Sequence, residues 1–218
     1  MIPFICERIL TPDGALHALE VLLRPPGTTP PAFLRSLGPE RASVIRAHHR
    51  HALNAIREHF ERCGQPLPRV HLNACHDDLP GFAANLARTA HAAKYDPHLI
   101  TVELICCTSH VRSLEILQEQ GFTLALDDIG REHFGRLTRL PMFSVVKTDR
   151  ELIHHPERLH ALTQQHLDAG QQVIIEGVVS DEDAALARGV QATATQGYRH
   201  YPPVPVLESD PHLLHQPT

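Results

Sequence analysis

Thr123–Leu124–Ala125–Leu126–Asp127–Asp128 (TLALDD) is a strand-like apolar run that stops on two carboxylates, and the arrangement recurs along the chain. Upstream, EVLLR contains Glu20 and closes on Arg24, HLN places His71 two residues before Asn73, and ITVELI carries Glu103. Downstream, SVVKTD contains Lys147, VIIEGV carries Glu176 and Gly177, and Gln196–Gly197 follow an eighth run. An ionisable group in an apolar strand is costly unless it is paired or metal-bound. One such acid alone reads as a satisfied core carboxylate. Six or seven of them ask for a common cause. In a barrel the ends of parallel strands converge on one face, where active sites form, so a single shared site accounts for them all.

Outward from these runs, strands are expected near 3–10, 17–23, 69–74, 99–105, 122–126, 143–147, 172–176 and 191–195. Helical patterns occupy much of 40–62, 80–93, 110–119, 131–139, 156–168 and 181–188. In the first of these, Val44, Ala47, Ala52, Ala55, Ile56 and Phe60 follow a loose 3.6-residue period. Thr11–Pro12–Asp13–Gly14 is turn chemistry, which predicts a hairpin between the first two strands. The other strands, separated by helices, predict parallel β-α units. Eight strands favour an α/β barrel over a doubly wound sheet. Residues 1–204 read as one domain, with 205–218 as a Pro- and His-containing tail.

Composition narrows the function classes. There is no Trp and aromatics are 5%, so Leu, Val, Ile and Ala must do most of the packing. Net charge is -5 with no basic stripe, which argues against DNA or RNA as a partner. A small phosphate ligand is still compatible, since a bound divalent metal supplies positive charge locally. The five cysteines are odd in number and lack CxxC spacing, so they read as free thiols rather than disulfides or a zinc site. The amino terminus lacks signal-peptide features, and no apolar run approaches the roughly 20 residues that span a bilayer. A cytoplasmic protein is expected. The 18 histidines include His48, His49, His51 and the pair His154–His155, without the spacing of a metal site. They are read as solvated helix faces and loops.

EVLLR, LNA, VELI, LALDDIG, VVKTD, IIEGV and QGY with Pro202 resemble, in order, the motifs of the EAL family of cyclic di-GMP phosphodiesterases, over about residues 5–203. The resemblance implies a modified TIM-like (β/α)8 barrel with an antiparallel first strand. It implies Glu20, Asn73, Glu103 and Asp127 as metal ligands, with Asp128 completing a second metal position. Such hard oxygen donors suit Mg2+ or Mn2+. Lys147 would stand beside the attacking water, Glu176 would ligate metal or hold that network, and Gln196 would position water and ligand. Arg24 would grip a phosphate. Two metals roughly 3.5–4 Å apart can activate one water and stabilise entering and leaving oxygens, opening the cyclic dinucleotide to linear pGpG.

Four departures from the family pattern stand out. The loop after the aspartate pair, Ile129 to Phe134, is about two residues shorter than the usual DDFGTGYSS, a loop that shapes the metal site and a dimer contact. Cys106 replaces a glutamate three positions after Glu103, and Val179 replaces the last acid of EGVE. Ile5–Cys6–Glu7 stands where the family carries a substrate-contacting Gln, and Pro25–Pro26 follow Arg24. Two functions are therefore carried forward. One is a working phosphodiesterase. The other is a receptor module that binds cyclic di-GMP or a protein partner without useful hydrolysis. Regulatory input is expected through such a partner, a homodimer contact or expression level.

Overall fold

The computed structural model describes residues 2–74, 79–104, 110–130 and 142–198. The expected helix at 131–139, most of the loop after the aspartate pair, Cys75, Cys106, Cys107 and the 205–218 tail lie outside them.

Eight strands close a barrel in sequence order. They are β1 (Phe4–Leu10), β2 (Leu16–Leu23), β3 (Val70–Ala74), β4 (Ile100–Leu104), β5 (Thr123–Ile129), β6 (Val145–Thr148), β7 (Gln172–Ile175) and β8 (Ala194–Gln196). β1 is antiparallel to both neighbours, β2 and β8, and every other pairing is parallel. The reversal is set by the turn at Thr11–Ala15, where Gly14 N–H donates to Thr11 O (2.9 Å) at a φ of +86°. That φ suits glycine. With β1 reversed, strand closure needs only a hairpin on one side.

The helices are α1 (Pro30–Ser36), α2 (Arg41–Arg62), α3 (Leu79–Ala92), α4 (Val111–Glu119), α5 (Pro156–Asp168) and α6 (Asp181–Gly189). Of these, α1 is not visible as a hydrophobic period: it has no buried residue and rests on a Thr29 N-cap and two prolines in its first turn. α6 begins with a capping box in which Ser180 and Asp183 bond each other's backbone. Between helices and barrel lies the main core, in which Leu53, Ile56, Leu72, Ile100, Leu104, Leu114 and Leu117 are fully buried. Each contributes roughly 1.5–3 kcal/mol relative to an exposed side chain. No helix among the described residues is long and apolar enough to cross a membrane.

The histidines of α2 correct the expectation of solvated faces. His48, His49 and His59 are buried. Phe4 packs edge-on against His48 and His51 at 6.1 and 5.5 Å, and Phe82 does so against His49 at 5.5 Å. Burial first, then His51, lowers the His48 pKa to about 4, and burial and then His48 lower that of His49 to about 3. Both are neutral rings at pH 7. In a chain short of aromatics, they fill ring-shaped gaps in the core.

Candidate functional site

Strand side chains alternate faces, so residues two apart share one. Inside this barrel that rule builds two layers. The lower layer is a dry cluster of Ile9, Ala18, Ala125, Val145, Ile174 and Ala194, all buried. Two residues further along five of those strands stand Glu20, Asp127, Lys147, Glu176 and Gln196. β3 and β4 add Asn73 and Glu103, paired in register. The apolar layer seals the barrel below, and the polar layer forms one rim above it.

Lys147 is the hub of that rim. Its Nζ lies 2.7 Å from Glu176 Oε1, 2.9 Å from Glu103 Oε1, 3.1 Å from Glu20 Oε2 and 3.7 Å from Asp127 Oδ1. Glu20 also accepts from Asn73 Nδ2 on Oε1 (2.8 Å) and from Gln196 Nε2 on Oε2 (2.5 Å). Asp127 Oδ1 accepts the backbone N–H of Asp128 (3.0 Å), and Asp128 holds a φ of +57°. Aspartate is one of the few residues that tolerate this region. After β7, Gly177 turns the chain at φ +77°, where a Cβ would meet Arg150 O at 2.8 Å, and Glu176 is thereby kept at the rim. The structure thus brings Glu20, Asn73, Glu103, Asp127, Lys147, Glu176 and Gln196 together. Asp128 joins through a carboxylate oxygen that lies within 4.8 Å of those of Asp127 and Glu176.

Charge does not balance here. Glu20, Glu103, Asp127, Asp128 and Glu176 face a single buried lysine. Burial would raise Glu20, but Lys147 and the bonds from Gln196 and Asn73 hold it down at about 2. Glu103 is pushed well up by burial and then by Glu20, despite Lys147. Burial, only partly offset by Lys147, raises Glu176 to about 7, with Asp127 and Glu20 adding to the rise. An oxygen-rich, acid-excess rim fits hard divalent cations, which prefer carboxylate and amide oxygens.

A pH dependence follows for the protein held in chelator. Glu176 has a folded pKa of about 7 against an ordinary 4.5, so between those values the folded state binds more protons than the unfolded one. Its contribution to stability therefore falls as pH rises through that window and is at its lowest above about 7. Glu20 acts oppositely: its contribution is present above about 4.5 and is lost as pH falls towards about 2. Each unbalanced proton corresponds to about 1.4 kcal/mol per pH unit. Measured against Glu176→Gln, whose amide does not titrate, the wild-type protein in EDTA is expected to lose melting temperature from pH 6.5 to 7.5, above the window in which the buried neutral His48, His49 and His71 act the other way, and saturating Mn2+ is expected to flatten that slope. A difference between the two proteins that stays constant over this range would contradict it.

Two rim residues escaped the sequence reading. His71, buried on β3, places Nδ1 2.6 Å from Glu103 Oε1. Burial, then Lys147, lowers its pKa to about 3, so the ring is neutral, and the tautomer sets which of Nδ1 and Glu103 Oε1 donates in this bond. Glu7 on β1 pairs directly with Glu20. Arg24 lies at the mouth, where Nη1 donates to Leu23 O (3.0 Å). It lines a cavity of about 600 Å³ shared with Glu20, Asn73, Asp127, Leu34, Arg35 and other α1–α2 residues.

A model of the EAL domain family matches residues 13–203, whereas no curated protein matches the chain. Among solved structures, the chain is similar to the EAL enzyme Bd1971 in its cAMP-bound form, with a TM-score of 0.80 at 18% identity. That match covers 93% of this chain but 63% of Bd1971, so the chain spans less than two thirds of its length. The PaMucR phosphodiesterase in complex with c-di-GMP gives 0.78 at 20% identity, over 93% of this chain and 91% of PaMucR. Klebsiella pneumoniae BlrP1, with manganese and cyclic di-GMP, gives 0.79 at 22%, over 93% and 56%. At such identities the likeness to solved structures is one of fold. The family match spans most of the chain and includes seven of the eight strands in full. The chain belongs to the EAL domain family.

Proposed function

We propose that the protein is a metal-dependent phosphodiesterase that hydrolyses cyclic di-GMP to linear pGpG. The observation that carries this reading is the surplus of carboxylates around one lysine at the rim of an EAL barrel. In this reading Glu20, Asn73, Glu103 and Asp127 hold one Mg2+ or Mn2+, and Asp127, Asp128 and Glu176 contribute to a second position. The bound cations would acidify a water and stabilise charge on the phosphoryl oxygens. The protein's own groups do the rest. Lys147 balances the carboxylates and stands beside the attacking water, Gln196 orients water and ligand from β8, and Arg24 holds a phosphate at the mouth. His71 fixes Glu103 by its 2.6 Å bond, so the ligand atom is aimed before metal arrives.

The test is purified protein with cyclic di-GMP and Mg2+ or Mn2+, followed by chromatography of products. Turnover to pGpG is expected, with loss in EDTA. Glu20→Ala and Asp127→Asn are each expected to lower it by at least about a hundredfold. Unchanged turnover in Asp127→Asn would refute the site. Binding without turnover would favour the receptor reading, and absence of both would leave a partner-binding module.

A further inference from the structure

Outside the barrel, α2 and α3 leave a groove of about 460 Å³ between them. Its charged lining is Arg46 and Arg50, one turn apart on α2, and Arg88 on α3, all three exposed. Ser43, Ala47, Asn85, Thr89 and Ala92 complete the lining, so no acid faces the groove. None of these residues lines the rim or the mouth cavity beside it. Towards the first turns of both helices the groove deepens into a notch of about 50 Å³, walled by Ala42, Ile45, His49, Gly81, Phe82 and Leu86. Arg46, Asn85 and Thr89 border both the notch and the groove.

Other surface arginines of the helical layer are already matched. Arg57 bonds Glu61 at 2.6 Å and reaches Glu58 at 3.4 Å, and Arg112 bonds Glu115 at 3.0 Å and Glu119 at 3.1 Å. Arg46, Arg50 and Arg88 make no ion pair among the described residues, and Arg88 Nη2 donates to the neutral Asn85 Oδ1. The neutral polar groups of the groove are turned to their own helices. Ser43 Oγ donates to Glu40 O (2.8 Å), Asn85 Nδ2 to Gly81 O (2.6 Å) and Thr89 Oγ1 to Asn85 O (3.1 Å). The donors left for an occupant are therefore guanidinium groups, which suit carboxylates by charge and by their two-pronged geometry. Arg46 and Arg50, four residues apart, repel each other until an anion lies between them. Roughly 10–15 Å³ holds one water, so the notch takes about four heavy atoms, the size of a Val or Leu side chain. Nucleic acid fits less well, because the chain carries a net charge of -5 and the one Phe of the lining, Phe82, already packs edge-on against His49.

We propose that the α2–α3 groove is a docking site for an acidic peptide segment of a partner protein, with an aliphatic side chain seated in the notch and carboxylates over Arg46, Arg50 and Arg88. The arginines are spread along one turn of α2 and across to α3, which suits an extended run of carboxylates better than a single small anion. A segment seated there leaves the rim open. Ile45 and His49 line both the notch and the mouth cavity, so α2 is the wall between the docked segment and the mouth.

Fluorescence anisotropy with a fluorescein-labelled peptide, Glu-Glu-Leu-Glu-Glu-Glu, decides it. The wild-type protein is expected to bind this peptide at least about tenfold more tightly than its counterpart with Gln for every Glu, and to lose affinity as salt rises. Serine in place of the peptide's Leu is expected to cost about tenfold, as the notch loses its apolar occupant. The double variant Arg46→Glu/Arg50→Glu is expected to weaken the acidic peptide at least about tenfold. Arg112→Glu, at an arginine already paired, is expected to leave it unchanged. Wild-type protein that does not bind the acidic peptide, or an equal loss in Arg112→Glu, overturns the proposal. A single-stranded oligothymidylate that binds the same arginines more tightly than the peptide makes the groove a nucleic-acid site and also overturns it. So does self-association in sedimentation that the double variant abolishes, since the occupant is then a second copy of this chain. Should the double variant fail to fold, wild-type protein alone decides, because equal affinity for the acidic and the Gln peptide refutes the contact.

Discussion

Lys147→Met is expected to lower the melting temperature of the chelated protein at pH 8 by roughly 10 °C and the proposed phosphodiesterase turnover by about a thousandfold. The lysine is fully buried and its Nζ lies within 4 Å of four carboxylates. Methionine keeps the volume of the stem, so packing is nearly conserved and the change is one of charge. Removing one partner of a buried ion pair costs about 3–5 kcal/mol, because the other charge is left uncompensated. In a domain of this size that corresponds to roughly 6–20 °C. Here several charges are stranded, but part of the cost is relieved by protonation, since Glu103 and Glu176 are already raised. The deficit should therefore shrink at pH 6, where those carboxylates accept protons more readily. Saturating Mn2+ should restore much of the melting temperature by replacing the lost positive charge. On the proposed reading, which puts Lys147 beside the attacking water, it should not restore rate, and a loss of about a thousandfold is expected. Calorimetric melts at pH 6 and 8, with EDTA or Mn2+, separate these effects. A variant that melts with the wild type at pH 8 in EDTA would mean that the four acids do not bear charge around Lys147.

How far the rim could be read from sequence depends on strand direction. On the parallel strands, the polar residue comes two positions after an apolar one that faces the barrel interior, as in Ala125 and Asp127 or Val145 and Lys147. A reader who asks what ends each apolar run finds these at once. Glu7 sits in the middle of β1, ahead of Ile9, and was invisible to that question. The predicted hairpin already implied the reversal, so the signal was present: the rim residue of an antiparallel strand should be sought on its other side. His71 was quoted but given no role, because nothing local marks it as a partner for Glu103, 32 residues away. The α2 histidines failed for a different reason. Their spacing carries no ligand pattern, and a polar residue type was read as solvated when its ring was needed as packing.

Gly197→Ala is expected to be the most damaging single methyl group that can be added near the rim. A Cβ at this position would lie 2.2 Å from Val178 O and 2.5 Å from Val178 N. These are backbone atoms, so no side-chain rotation relieves the overlap. Val178 N–H donates to Gln196 O at 3.1 Å, a bond that ties the end of β8 to the segment after β7. Separating the two would move Gln196, whose Nε2 is on Glu20, and Glu176, whose Oε1 is on Lys147. A loss of more than about 4 kcal/mol in urea melts is expected, which is exceptional for one substitution. Any protein that remains folded should turn over cyclic di-GMP at least about a hundredfold more slowly, because displacements near 1 Å suffice for that. The control is Gly170→Ala, where φ is +76° but nothing lies within 4 Å of the added Cβ. It bears only the conformational cost of about 1–3 kcal/mol and lies before β7, at the opposite end of that strand from Glu176. If Gly197→Ala proved as mild as Gly170→Ala, the β7–β8 contact would not be what holds Glu176 and Gln196 over the site. If it is far worse, and the rate falls with stability, then close backbone packing just past the ends of β7 and β8 is what positions the rim acids.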